Sequence, residues 1–488
     1  MIAPHQNNLS EQAPSPQGKS RTTWFFLVFI LINALVIFSP LSRAAIVVYP
    51  ASVFLVSLFV IKRSKAAYTG LACWLWLVTP FVRRVVEWRA GGTATAILIA
   101  PYVAIAVGAL VLIPKLSRVS TRRSMPLLFV LAAVCYGVFV GILHLSFSGL
   151  PQAILAWAMP PIFALFLFGE RSEYESVYES FELAIVTGLL IIGVYGIYQF
   201  FLLPEWDAQW MIQSDLQSIG LPEPFQVRVF STMNSPQVFA AYCAAGLLIA
   251  LRSHLKIRYL AVPAGFISLV LSLSRTAWMG FAAGIIYLFF LITNRQRVRI
   301  IAVAGCCLIA ALAALQVPEV NSIVSARFNS LSDPQHDTSY EARVHDYNTV
   351  IQTMIDNPFG HGLSADAGSA DQSAPAGAVS QQDSSITASL FSLGLLGSTI
   401  FVLGLLLLGF GIFSKHGRSS ALTGARAILL ALALEAPFNN VISGPVGFLL
   451  WCCIGLCISE CDVLSTPAEN HNADLVQSSV STSAAVAS

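Results

Sequence analysis

The sequence predicts an all-α polytopic membrane protein of about 12–14 transmembrane helices with one large extracytoplasmic loop. Three observations predict it. Of 488 residues, 56% are hydrophobic and only 11% charged, about half the charged share of a soluble domain. Apolar runs long enough to span a bilayer recur along the chain. The basic residues between those runs alternate between rich and poor connections, as cytoplasmic retention of Lys and Arg requires.

In chain order, residues 1–22 are polar, with Pro14, Pro16, Gly18, Lys19 and Arg21 ahead of the first apolar run. No small-residue cleavage site follows, so the expectation is a disordered cytoplasmic tail and an uncleaved first helix. Runs at 23–40, 44–61, 66–82, 94–113, 126–146, 152–169 and 181–203 form an N-terminal bundle over 23–203. A connection follows at 204–235. Runs at 236–251, 258–273, 276–293 and 298–316 form a central group over 236–316. The segment 317–383 is a long polar loop, and 384–413, 421–437 and 440–459 close the bundle within 384–460. Residues 461–488, rich in Ser, Ala, Val and Asn, read as a second disordered cytoplasmic tail.

With the N-terminus inside, 19 of the 27 basic residues fall on the cytoplasmic face. The outside receives Arg43, Arg83, Arg84, Arg89, Arg228, Arg275, Arg327 and Arg343, and no lysine. Arginine is the residue suited to planar, bidentate recognition of phosphate. The nine cysteines fall mostly inside apolar runs, where buried thiols are the ordinary reading; Cys453 and Cys457 need not be metal ligands. No basic stripe with interleaved aromatics points to nucleic acid.

Three outer segments carry residues that could do chemistry. The first ends in Arg228-Val229-Phe230-Ser231-Thr232-Met233-Asn234-Ser235-Pro236, where Arg228 could also pair with Glu223. The second is the turn Ser274-Arg275-Thr276 between two apolar helices, which leaves Arg275 to reach lipid headgroups or to meet an anion. The third is the long loop itself. It holds Arg327, then a stretch from Tyr340 to Met354 whose apolar spacing predicts an amphipathic helix on the membrane surface, with Arg343 and Tyr347 on one face. Asn357-Pro358 ends that helix, and Gly360 and Gly362 bracket His361 in what reads as a flexible turn. The Ser/Ala/Gly-rich stretch 364–380 reads as a plain loop or a lid. Asp383 stands before the next helix, where a capping carboxylate is common.

At these residues the chain resembles the O-antigen ligase and Wzy-type polysaccharide polymerase superfamily over roughly 180–460. The likeness lies in Arg228 through Pro236, in Ser274, Arg275 and Gly280, in Arg343 followed by Asn357 through Gly362, and in Gly394 and Gly397 of the helix after the loop. Where ligases of this family carry a His-Asn pair before that helix, this chain has Gln382-Asp383-Ser384-Ser385, which inclines the reading towards a polymerase. The resemblance implies a GT-C-like membrane fold in a bacterial inner membrane, both termini cytoplasmic and the loop periplasmic. It implies transfer without metal or cofactor from an undecaprenyl-diphosphate-linked oligosaccharide to a saccharide acceptor. Arg228 and Arg275 would clamp the diphosphate, with Arg343 and Arg327 assisting, and Asp383 or His361 would serve the acceptor hydroxyl. A chain-length regulator and a flippase are the partners such a polymerase implies, beside membrane lipid. A ligase is the neighbouring alternative. A lipid-linked oligosaccharide transporter is the distant one, disfavoured because the apolar runs hold few central charges, Glu435 being the main exception.

Overall fold

The computed structural model describes residues 16–115, 123–144, 149–214, 217–291, 338–363, 384–414 and 420–463, with isolated positions between 294 and 316. Among them are fifteen α-helices and no strand. The first seven are α1 (Pro16–Phe38), α2 (Ala45–Arg63), α3 (Lys65–Ala90), α4 (Ala100–Leu112), α5 (Met125–Leu143), α6 (Leu150–Gly169) and α7 (Tyr174–Leu202). The short α8 (Glu205–Ser214) precedes α9 (Pro236–Arg252), α10 (Arg258–Leu271) and α11 (Arg275–Leu291). After the gap come α12 (Thr338–Asp356), α13 (Ser385–Phe413), α14 (Ser420–Glu435) and α15 (Gly444–Val463).

Every expected span has its helix except 298–316, which lies almost wholly outside the described residues, as do Arg327, the stretch 364–380 and Asp383. Seven helices are long and apolar enough to cross a membrane by themselves, and four more are apolar but shorter. The difference from 12–14 full spans lies in these short helices, in α14, in the segment 298–316, almost wholly outside the described residues, and in α3, whose last turns carry Arg83, Arg84, Glu87 and Arg89. Helix α1 starts at Pro16, inside the expected polar tail; proline suits the first helical position because its missing N–H would have no partner there.

The closest helix pairs are α5 with α13, α6 with α15, α7 with α10 and α11 with α14. Helix α15 is buried along nearly its whole length, with Phe448, Trp451, Cys453 and Cys457 in the core. Polar contacts collect at the two ends of the bundle. At one end Lys115 pairs with Glu170 at 2.6 Å, and Arg123 and Arg171 both pair with Asp462 at 2.8 and 2.7 Å. These are the basic residues expected inside. The opposite end gathers the C-termini of α3, α10 and α14 and the N-termini of α9, α11 and α13.

Helix α13 is broken at Gly394, where φ is +61° and ψ −168°. A break inside a buried stretch of helix frees backbone groups that need other partners. The segment Asn357–Leu363 satisfies them: the His361 and Gly362 N–H groups donate to the Phe391 and Ser392 carbonyls at 2.9 and 3.0 Å, and the Leu395 N–H donates to Pro358 O at 2.8 Å. The Leu363 N–H reaches Gly137 O of α5 at 3.1 Å, and Tyr136 donates to Phe359 O at 3.0 Å. The glycines are therefore not there for flexibility. A Cβ on Gly360 would sit 2.4 Å from Gly394 N, and one on Gly362 2.2 Å from Gly141 N. The expected flexible turn is a backbone clasp.

Candidate functional site

Arg228 lies half-buried at the polar end. Its main-chain N–H donates to Ile219 O, and its guanidinium donates to Ser218 O at 2.8 Å and, more weakly, to Ser272 O and Leu273 O at 3.4 Å. Those last carbonyls immediately precede Ser274-Arg275, so the first two outer segments meet. The expected partner Glu223 instead accepts from Gln226 at 2.7 Å. Leu273 adopts a left-handed φ of +53°, which turns the chain sharply into α11 with Arg275 as its first residue. The N-terminal end of α11, with the partial positive charge of its helix dipole, therefore lies at the turn that the Arg228 guanidinium contacts.

The third segment arrives through hydroxyl and amide contacts. Thr276 Oγ1 accepts from Asn439 Nδ2 at 2.9 Å, and the same amide donates to Glu435 Oε2 at 3.1 Å. The Asn439 carbonyl accepts from Ser385 Oγ at 3.0 Å, and the Val441 N–H donates to that hydroxyl at 2.9 Å. Ser384 is the N-cap of α13, its Oγ accepting from the Ile386 N–H at 3.1 Å. That hydroxyl lies 2.9 Å from Tyr347 OH of α12, which donates to Pro437 O at 2.7 Å. Arg343 stands one helical turn before Tyr347 in α12, its side chain outside the described residues. Glu435, the exceptional charge of the sequence, is buried against α11, where a Cβ on Gly280 would come within 2.9 Å of Oε1.

These contacts join Thr276, Glu435, Asn439, Ser384, Ser385 and Tyr347 into one polar cluster, and Arg228 meets the turn that leads through Arg275 into it. His361 sits elsewhere. Its ring stacks on Phe391 with centroids 4.4 Å apart, and the His144 ring lies 6.5 Å away. Phe391 is six residues beyond Ser385, about 9 Å along the helix. Burial, and after it the neighbouring His144, hold the His361 imidazole below its usual range; its own hydrogen bond to Phe391 opposes them. Capping, the ordinary reading of Asp383, is performed by Ser384.

Arg84, one of the eight arginines expected outside, has a role that no motif marks. Its side chain is fully buried, and Nε lies 2.8 Å from Asp207 Oδ1. Its Nη groups donate to Ser231 O, Met233 O and, at 3.1 Å, Asn234 Oδ1. Asp207 accepts further from Tyr195 OH at 2.8 Å and Gln199 Nε2 at 2.6 Å, while Gln199 Oε1 accepts from the N–H groups of Phe230 and Ser231. An arginine about twenty residues into an apolar helix was the available signal. Asn439 and Ser385 gave none, because their partners lie far away in sequence.

Fold and site together define a polytopic helical membrane protein in which, at one end of the bundle, a polar cluster adjoins Arg228 and the turn that opens α11. Residues 260–402 match the family model described as O-antigen ligase, Wzy_C, so this stretch is similar to the Wzy-type polymerase/ligase domain. The matched stretch contains Arg275, Arg343, Tyr347, the clasp and the start of α13. Arg228, Arg84, Glu435 and Asn439 lie outside it. No curated protein matches the chain.

Proposed function

We propose that the chain polymerises oligosaccharide repeat units carried on a polyprenyl diphosphate, at the extracytoplasmic face of a bacterial inner membrane, with both termini cytoplasmic. The observation that carries this reading is the meeting of Arg228 with the turn that opens α11 at Arg275. In the reaction the acceptor hydroxyl oxygen bonds to the anomeric carbon of the donor. The bond from that carbon to the carrier diphosphate breaks, its electron pair leaves with the diphosphate, and the hydroxyl proton passes to a base. Negative charge grows on the leaving group, and fixed guanidinium groups stabilise it as it grows. Arg228 and Arg275 hold the diphosphate, with Arg343 and Arg327 assisting from the loop. Asp383, covalently next to Ser384 of the cluster, accepts the proton; His361 is the second candidate, some two turns further along α13. A single displacement inverts the anomeric carbon. Ligation of finished glycan to another acceptor uses the same donor chemistry and differs only in the acceptor.

Replacing Arg228 or Arg275 by Ala should lower transfer about 100- to 1,000-fold, while the protein remains in the membrane and carrier-linked repeat units accumulate. Long polymer in either variant would overturn the assignment. A deletion strain separates the two acceptors: single repeats remaining on the final product indicate a polymerase, and full-length chains stranded on the carrier indicate a ligase.

A further inference from the structure

We infer that Arg84 and Asp207 form a positioning brace for the glycan-transfer site, holding the segment Arg228–Ser235 so that Arg228 meets the leaving group at a fixed angle. This inference rests on the function proposed for Arg228. Both charges are completely withdrawn from solvent. Packing alone does not call for such a pair, since well-fitted apolar side chains of similar volume fill such a space at lower desolvation cost. What the pair supplies is direction. The Arg84 guanidinium reaches two main-chain carbonyls and one side-chain oxygen within four consecutive residues, Ser231 to Asn234. Gln199, itself held by Asp207, takes the two N–H groups at Phe230 and Ser231. Ser231 stands at a φ of +52°, a conformation side chains rarely adopt, and its hydroxyl is tied to Ile192 O at 2.6 Å.

The loop therefore rests on a post built from α3, α7 and α8, with inward-turned backbone groups of residues 230–233 satisfied from below. Arg84 also lies over the rings of Trp210 and Phe230, at 5.6 and 5.0 Å from their centroids, which fixes the plane of its fork. At one end of the braced stretch is Arg228; at the other Ser235 caps α9, its Oγ accepting from the Gln237 N–H at 3.3 Å. Lysine cannot reproduce the fork: it could pair with Asp207 but would not span the carbonyls of residues 231 and 233.

The test uses the full-length protein in vesicles, with carrier-linked glycan extracted from cells lacking the protein as donor. The informative variant is Arg84→Met with Asp207→Leu, which removes both charges together and spares the protein an unpaired buried ion. We expect membrane abundance close to wild type with a lowered melting temperature, because the Ser231 and Met233 carbonyls lose their donor. We also expect a half-saturating donor concentration within about threefold of wild type, and turnover per folded molecule reduced about 100-fold, the loss expected when a reacting group is displaced by about an ångström. Arg84→Lys should also lose turnover while keeping abundance. It decides the question if the double variant fails to reach the membrane. Wild-type turnover per folded molecule in the double variant, or in Arg84→Lys, overturns the brace. Arg228→Ala in the same assay separates the two ideas. If it remains active, the clamp reading fails; if it is dead while the double variant is fully active, only the brace does.

Discussion

Replacing Gly394 by Ala tests whether the Asn357–Leu363 segment is a clasp. Position 394 has a φ of +61° and a ψ of −168°, a region open essentially to glycine alone, and a side chain there costs about 1–3 kcal/mol. The added Cβ would lie 2.3 Å from Phe359 C, 2.4 Å from Gly360 N and 2.5 Å from Pro358 O. All three are backbone atoms, so no rotamer change relieves the overlap. Relief requires the segment to lift off, which forfeits the bonds from His361 N, Gly362 N and Leu395 N, each worth about 0.5–1.5 kcal/mol. The expected loss is about 3–7 kcal/mol. The assay is the fraction of detergent-solubilised protein surviving a temperature series as a monodisperse species. Gly409 in the same helix is the control, because a Cβ there meets nothing within 4 Å; Gly409→Ala should match or slightly exceed wild type, as alanine usually does in a helix. Equal stability of Gly394→Ala and Gly409→Ala would refute the clasp.

Tyr347→Phe removes the donation to Pro437 O and the contact with Ser384, and should cost about 1–2 kcal/mol together with a fall in transfer, read by the same thermal series and by polymer length. Asn439→Ala withdraws the donor shared by Thr276 and Glu435 and should destabilise by about 1–3 kcal/mol; an unchanged melting profile would mean that the cluster is not held through Asn439. His361 gives a pH dependence. Its folded pKa lies below the ordinary imidazole value of about 6.5, so the unfolded chain takes up the proton first on acidification. The stability it contributes is complete above about pH 6.5 and is lost as the pH falls through the lower folded value. His361→Leu should flatten that acid-side slope, and a slope identical to wild type would assign it to other groups.

Helix existence was legible in the sequence because apolar length is a local property that lipid enforces directly. Thirteen expected spans coincide with helices, with ends displaced by as much as eight residues, as at the end of α3 and the start of α7. The amphipathic stretch beginning at Tyr340 is helical as its spacing required, with Val350 buried and Val344 and Ile351 exposed. Motif glycines were legible as motif but misread in purpose. From sequence Gly360 and Gly362 signal freedom, whereas their task is to let one backbone lie against another: the helix break at Gly394 for Gly360, and Gly141 of α5 for Gly362.

The sequence by itself determined a membrane-embedded helical chain, since that follows from composition and run length, and it supplied the set of arginines from which a site could be built. Only the tertiary structure decided which of those arginines belong together. It set Arg228 against the turn before Arg275, and it withdrew Arg84 from the surface into a buried pair with Asp207, 123 residues away. It also seated His361 on Phe391, apart from the cluster around Ser384 and Asn439. A charge carries no local record of its partner. Desolvation selects the partner only when the helices close around both.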